Sequence, residues 1–245
     1  MAYDIIGDIH GCYDELIQLI EKLGYRADGT VYRHPEGRQL AFVGDATDRG
    51  PASLAVLRLL FNLQDAGSLF YSPGNHCSKL YRYLRGNGVQ LTHGLETTVN
   101  EFHQLSTEEQ IAFRKRYKQF YESLPPYLEL EPNLIVAHAG IKENMIGMPL
   151  SGKIWAFVLY GDTTGTFLPD GRPVRRDWAA SYSGSSFIVY GHTPTAEPYI
   201  KNNTVNIDTG CVFGGKLSAF RYPEKTVVSV PSQQSYQPDR FHSFV

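Results

Sequence analysis

Ile5-Ile6-Gly7-Asp8-Ile9-His10-Gly11 is a short apolar run that stops on two metal-type ligands and a glycine. Such a run predicts a buried strand feeding a turn. Asp8 and His10 are two residues apart, which on an extended chain points both side chains one way. One cation could then receive a carboxylate oxygen and an imidazole nitrogen. The pattern recurs in Phe42-Val43-Gly44-Asp45, Gly74-Asn75-His76, Ile135-Val136-Ala137-His138-Ala139-Gly140 and Val189-Tyr190-Gly191-His192. One such pair says little. Five of them, with ligand-type side chains at successive strand mouths, point to a two-metal hydrolase centre on one rim of a sheet.

The run Gly44-Asp45-Ala46-Thr47-Asp48-Arg49-Gly50-Pro51 adds a second carboxylate and a guanidinium just before a helix. Asp45 could bridge two cations, because a carboxylate offers two oxygens and a charge that offsets both. Arg49 suits bidentate phosphate recognition. A salt-bridged turn would account for Asp48 and Arg49 but not for Asp45. Neighbours on an extended stretch point apart, so Asn75 reads as a ligand and His76 as a positioned acid or phosphate-binding cation. His76 then needs a carboxylate to orient it, and Asp48 is the candidate. His138 and His192 each follow an apolar strand and read as ligands. Asp208, also at a strand end, reads as the group that fixes a ligand histidine, against the plainer reading of a turn aspartate.

Around these motifs the chain alternates. A strand from Tyr3, a helix over 14–24, a strand over 39–43, a helix over about 51–64 with Pro51 at its start, a strand over 69–71 and a helix over 78–84 predict an α/β layer. Ser106-Thr107-Glu108-Glu109 predicts a capping box for a helix over 108–122. Strands follow at 134–137, 187–190, 204–207, 217–222 and 226–230, with a long surface loop over 161–176 and a loosely packed tail after Pro231. The expected architecture is one domain over residues 1–245, α/β (α+β), with two sheets packed face to face as a β-sandwich and flanked by helices.

Length, 42% hydrophobic content and a formal charge of −2 fit a globular enzyme rather than a nucleic-acid-coating or membrane-surface protein. No signal-type or membrane-spanning run occurs, and three widely spaced cysteines give no disulfide framework, so a cytoplasmic location is the expectation.

Taken in order, GDIHG at 7–11, GDATDRGP at 44–51, GNHC at 74–77, HAG at 138–140 and YGHTP at 190–194 resemble the calcineurin-like phosphoesterases, in their phosphoprotein-phosphatase branch. YGHTP followed by NIDTGCVFGGKLSAFRYPE is similar to stand-alone bacterial bis(5′-nucleosyl)-tetraphosphatases. It is also similar to the phosphatase domain of bacterial polynucleotide kinase-phosphatase, which shares the YGDTTG region; this chain has no Walker motif, so the stand-alone enzymes are nearer. The resemblance implies the metallophosphoesterase fold, with Asp8, His10 and Asp45 on one metal and Asn75, His138 and His192 completing a second that shares Asp45. It implies Arg49 and His76 on the scissile phosphate, with Asp48 behind His76. Cys77 stands where the family has an acidic residue, which puts a charge at that position in doubt.

The implied chemistry is in-line attack on phosphorus by a metal-bridging hydroxide. Nitrogen and oxygen ligands without thiolate favour manganese, nickel, cobalt or iron over calcium, and the resemblance suggests nickel or manganese. The leading expectation is asymmetrical hydrolysis of diadenosine tetraphosphate to ATP and AMP, so the partner is a small-molecule nucleotide, with no membrane and no stable nucleic-acid partner. The alternatives are a serine/threonine or tyrosine phosphoprotein phosphatase, and a catalytically idle scaffold, which would predict a missing ligand. Candidate substrate contacts are Lys79, Arg82 and Arg85 after GNHC, and Arg172, Arg175 and Arg176 in the loop.

Overall fold

A computed structural model describes residues 1–130, 132–169 and 171–242. β1 (Tyr3–Ile6) leads into α1 (Tyr13–Lys22), whose first turn carries Asp14 and Glu15, the charge sign that a helix N-terminus favours. The short hairpin β2 (Arg26–Asp28) and β3 (Val31–Arg33) was not expected from the sequence; β4 (Gln39–Phe42) was. α2 spans Ser53–Asp65, so Pro51 lies in the bend before the helix instead of at its first position. The free N–H groups of Ser53 and Leu54 donate to the Glu101 carboxylate at 2.8 and 3.0 Å, a cap supplied from a distant helix.

β5 (Phe70–Tyr71) is followed by α3 (Asn75–Leu84), which starts three residues earlier than expected. Asn75 and His76 therefore occupy a helical first turn and not an extended stretch. α4 (Leu95–His103) and α5 (Thr107–Glu122) complete this layer. The expected capping box is present: Glu109 N–H donates to Ser106 Oγ at 3.2 Å, and Ser106 N–H donates to the Glu109 carboxylate at 2.8 Å.

The second half comprises β6 (Leu128–Leu130), β7 (Leu134–Val136), α6 (Gly152–Tyr160), β8 (Thr163–Phe167), β9 (Pro173–Arg175), β10 (Phe187–Tyr190), β11 (Tyr199–Lys201), β12 (Thr204–Asn206), β13 (Lys216–Tyr222) and β14 (Thr226–Pro231). The segment expected as a loop over 161–176 thus holds a hairpin, pairing Thr163 with Arg175 and Phe167 with Pro173 around a register shift. The tail after Pro231 is described as far as residue 242, with 243–245 outside the described residues, and its backbone is anchored at four points. Ser232 N–H reaches Gly215 O (3.0 Å), Gln233 N–H the Glu15 carboxylate (2.8 Å), Gln237 N–H Phe213 O (3.0 Å) and His242 N–H Pro194 O (2.7 Å). Backbone anchors of this kind leave no trace in composition.

Two five-stranded sheets result, in orders β14-β13-β1-β4-β5 and β11-β12-β10-β7-β6. Within the first, β1, β4 and β5 are parallel; within the second, β7, β10 and β12 are parallel. Alternation along each strand divides the core. Ile5, Ala41, Val136, Val189, Val205 and Phe220 fill the space between the sheets, where the rings of Phe187 and Phe220 stack at 5.2 Å. Ile6 and Phe42 face the opposite way, onto α1–α5, while Ile135, Ile188 and Tyr190 pack with α6 and Trp178. Helices thus flank both outer faces of the sandwich. Among the described residues no helix is long and apolar enough to cross a membrane.

The three middle strands of the first sheet are tied together by a buried ion cluster. Asp4, with no exposed surface, accepts from Arg38 Nε and Nη2, Arg221 Nε and Tyr25 Oη, all at 2.9–3.0 Å. Asp4→Ala leaves a buried guanidinium short of its partner. Urea unfolding should show stability lower by about 3–5 kcal/mol, and a loss below about 1 kcal/mol would show that Glu224 suffices for Arg38.

Candidate metal centre

All six strand-end ligand candidates leave the carboxyl ends of parallel strands or the turns that follow them: Asp8, His10, Asp45 and Asn75 from the first sheet, His138 and His192 from the second. Short backbone bonds knit these turns together: His10 N–H to Asp45 O at 2.8 Å, Val43 N–H to Ile6 O at 3.0 Å and Gly191 N–H to His138 O at 2.8 Å. The turns are tight enough to exclude side chains. A Cβ on Gly191 would lie 1.9 Å from Asp8 Oδ2, and one on Gly74 would lie 2.0 Å from Asp45 Oδ1. His10, Asp45, Asp48, Arg49 and His192 all have positive φ, between 41° and 77°, a conformation that non-glycine residues adopt at a cost.

His138 Nε2 is the focus of the cluster. It lies 2.9 Å from His192 Nδ1, 3.1 Å from Asn75 Oδ1 and 3.2 Å from Asp45 Oδ2. Its other nitrogen faces Val43 O at 3.1 Å, so the ring proton belongs there and Nε2 presents a lone pair. Four acceptor atoms then face one another with no donor among them. A cation at bond lengths of about 2.0–2.2 Å satisfies all four at once, since ligand atoms around such an ion lie about 3 Å apart. A proton on Nε2 serves only one of them. Burial opposes charge on this ring, yet Asp45 and Asp8 overcome it and hold its pKa up at about 9.

Asp45 Oδ2 also lies 3.9 Å from His10 Nε2, which places this oxygen between the two imidazoles. Its Oδ1 accepts from His76 N–H at 3.0 Å. His10 Nδ1 faces Thr47 O at 2.7 Å, which again frees Nε2 as the ligand atom. Asp8 Oδ2 accepts from His192 N–H at 3.0 Å, whereas its buried Oδ1 has no hydrogen-bond partner. That orphaned acceptor and the lone-pair cluster at His138 fit residues built to hold cations. Asp8 is closer to His138 (3.5 Å) than the reading of a separate first metal suggests, and His76 joins His10 and Asp45 in a group within 4.8 Å. Since His76 Nδ1 is taken by Asp48 Oδ2 at 2.6 Å, we assign His76 to the substrate side.

The electrostatics follow from crowding. Burial and the charges of Asp208 and Asp45 push the Asp8 carboxyl well up. Asp45 is buried too, but His138, His76 and His10 outweigh the burial and hold it well down. Burial, Arg49 and His76 push His10 down.

Arg49 spans the far side. Its Nη2 donates to His76 Nε2 at 2.8 Å, Nη1 contacts His10 Nε2, and the guanidinium lies 5.3 Å over the Phe213 ring. Asp48 is locked by Thr98 Oγ1 at 2.7 Å on Oδ1 and by His76 on Oδ2, as its orienting role requires.

Asp208 departs from expectation. Its carboxylate accepts from Gly210 N–H at 3.0 Å and touches no histidine; the backbone carbonyls of Thr47 and Val43 orient the ligand rings instead. Burial raises its pKa to about 6. Cys77 is buried toward the helical layer, 3.2 Å from Tyr71 Oη, so an acidic residue there would be buried among aromatics and not in the centre.

The candidate substrate contacts scatter. Lys79 reaches Thr92 and lies near Asp48 and Arg49, and Arg82 lies near Tyr160. Arg85 folds over the Tyr81 ring, Arg172 reaches Asp239 O, and Arg176 pairs with Asp162 at 3.1 Å. Of the six, Arg175 and Arg176 line a cleft with His192, and Arg176 is the one already paired with an acid. Sequence reading missed Phe213 and His93, the latter near Arg49 and His76; neither carries a ligand-type pattern.

The family model for calcineurin-like phosphoesterases matches residues 1–196. The chain belongs to that family. It is 55% identical over 245 residues to a bis(5′-nucleosyl)-tetraphosphatase PrpE (asymmetrical) of Geobacillus sp. (strain WCH70), covering all of both chains. It is 54% identical to the namesake of Bacillus subtilis (strain 168), covering 98% of this chain and 99% of that one. A solved structure provisionally named a diadenosine tetraphosphatase superposes with TM-score 0.66 at 22% identity, over 94% of this chain and 93% of the other, a likeness of fold. The family uses a dimetal centre, and the cluster described here has the donors for one.

Asp45→Asn should cut bound metal from two ions per chain toward one or none and abolish turnover. Arg49→Ala should keep both ions and lose turnover. Elemental analysis of the purified proteins checks both, and two ions in Asp45→Asn would remove the bridging role.

Proposed function

We propose that the chain is a metal-dependent phosphohydrolase that cleaves diadenosine tetraphosphate asymmetrically to ATP and AMP. The observation that carries this reading is full-length identity of 54–55% to tetraphosphatases so named. Asp8, His10 and Asp45 would hold one ion, and Asn75, His138 and His192 the other with Asp45 shared. Manganese or nickel suits these nitrogen and oxygen donors, with cobalt or iron as the next choices. When bound, the two ions polarise phosphoryl oxygens and activate a water.

The chain's own groups supply the rest. Arg49, anchored above Phe213, presents its fork to the phosphoryl oxygens. Asp48 fixes the His76 ring so that Nε2 faces the same space as Arg49. There His76 is placed to protonate the departing oxygen or to bind it as a cation. The backbone bonds that hold His10, Asp45, Asp48 and Arg49 at positive φ keep these groups in place before substrate arrives.

Turnover with added manganese or nickel, measured in parallel on diadenosine tetraphosphate and a phosphoserine peptide, tests the reading. ATP and AMP should appear in equal amounts, with much slower release of phosphate from the peptide. Two ADP as products, or preference for the peptide, would overturn it.

His76 separates two roles by the leaving group. ATP leaves readily as an anion, whereas an alkoxide needs a proton. If His76 is a general acid, His76→Ala should slow alkyl phosphomonoester hydrolysis by about 10²–10⁴-fold and diadenosine tetraphosphate hydrolysis far less. Equal losses on both substrates would assign it to phosphate binding.

A further inference from the structure

We propose that Arg175 forms a second anion subsite, at the His192 end of the centre, for the phosphates of the substrate that lie beyond the scissile one. This rests on the tetraphosphatase reading and adds how a chain of phosphates is told from a single one.

The site's charged groups are linked by a chain of contacts. Arg49 contacts His10 and His76; His10 faces Asp45; Asp45 faces His138; His138 faces His192. Arg175 comes next: it lines a cleft with Gly191, His192 and Thr193. Arg49 and Arg175 are thus the two ends of this chain of contacts.

Arg175 is held without being neutralised. β9 ends on it, and its Nη1 donates to Tyr160 O, the last carbonyl of α6, where the helix dipole favours a cation. A guanidinium has five N–H donors, so most remain unused. Of the two acids lining the cleft, Asp162 is occupied by Lys142 at 2.6 Å and Arg176 at 3.1 Å, and Asp177 accepts from Tyr199 Oη at 2.6 Å. Among the described residues no carboxylate lies within 4.0 Å of Arg175. Burial draws its pKa down to about 10, so it stays charged at neutral pH. Half-buried cations are normally paired with an acid, and here an anion from outside the chain would supply that pairing.

The cleft beside Arg175 is small, ≈ 20 Å³, so a phosphate would meet the guanidinium at the cleft mouth, and the contact would be one of charge. Arg49 and His76 take the scissile phosphate at the other end, so the anion left for Arg175 is a further phosphate of the same chain. A phosphomonoester has none.

The test uses the metal-loaded enzyme with Arg175→Gln and Arg175→Lys, diadenosine tetraphosphate and p-nitrophenyl phosphate as substrates, and metal content as the check on the centre. Arg175→Gln should raise KM for diadenosine tetraphosphate about tenfold or more. Its kinetics on p-nitrophenyl phosphate and its metal content should stay within about twofold, and Arg175→Lys should recover part of the loss. An unchanged KM for diadenosine tetraphosphate, or equal losses on both substrates, would overturn the subsite. A parent enzyme that hydrolyses p-nitrophenyl phosphate but not diadenosine tetraphosphate would instead overturn the tetraphosphatase reading, and the subsite with it.

Discussion

Three carboxylates, Asp8, Asp45 and Asp208, are gathered almost out of water at one seam between two sheets. Like charges brought together in a buried site cannot all remain ionised without nearby positive charge. The fold answers with imidazoles and Arg49, and the unsatisfied atoms that remain, at Asp8 and around His138, are those that cations would complete. Stability and function therefore compete here. A chain selected only to fold would place apolar side chains at these strand ends.

That competition explains the local backbone. The turns around Gly74 and Gly191 admit no Cβ, and five candidate site residues sit at positive φ. Each such residue costs on the order of 1–3 kcal/mol. The strain is carried by what surrounds it: fully buried strands on both sides of the sandwich and backbone bonds that pin turn to turn. Rigid sheets thus hold a strained rim, and the rim holds the donors before any ion or substrate arrives.

The clustering of the candidate ligands was legible in sequence because their chemistry is rare in that setting: a carboxylate or imidazole at the end of an apolar strand has few structural reasons to be there. The two-sheet architecture was legible from the same strands. What was not legible depended on tertiary contacts. α2 starts late because Glu101, from another helix, caps Ser53 and Leu54. α3 starts early and takes Asn75 and His76 into its first turn, yet they still diverge as expected, because successive helical residues point about 100° apart. The 161–176 hairpin looked like a loop because Gly, Thr, Pro and Asp dominate it. The tail looked loose because its anchors are backbone groups and Glu15. Asp208 had the pattern of a ligand's partner, but carbonyls of Thr47 and Val43 take that place, and a carbonyl has no sequence signature.

The separation of cations follows from the same charge balance. Arg49 and His76 lie 2.8 Å apart, and His10 touches the same guanidinium, so positive and potentially positive groups crowd one end of the centre. Asp48 and Asp45 compensate part of this, but both carboxylates are already engaged by His76 and His138. A dianionic phosphoryl group relieves the crowding most directly, because it brings oxygens that accept from Arg49 and His76 together. On the proposed function, single-phosphate recognition would rest with these motif residues, and selectivity for a longer anion would come from outside that cluster. Past His192 the hairpin after α6 delivers Arg175, which among the described residues has no carboxylate within 4.0 Å.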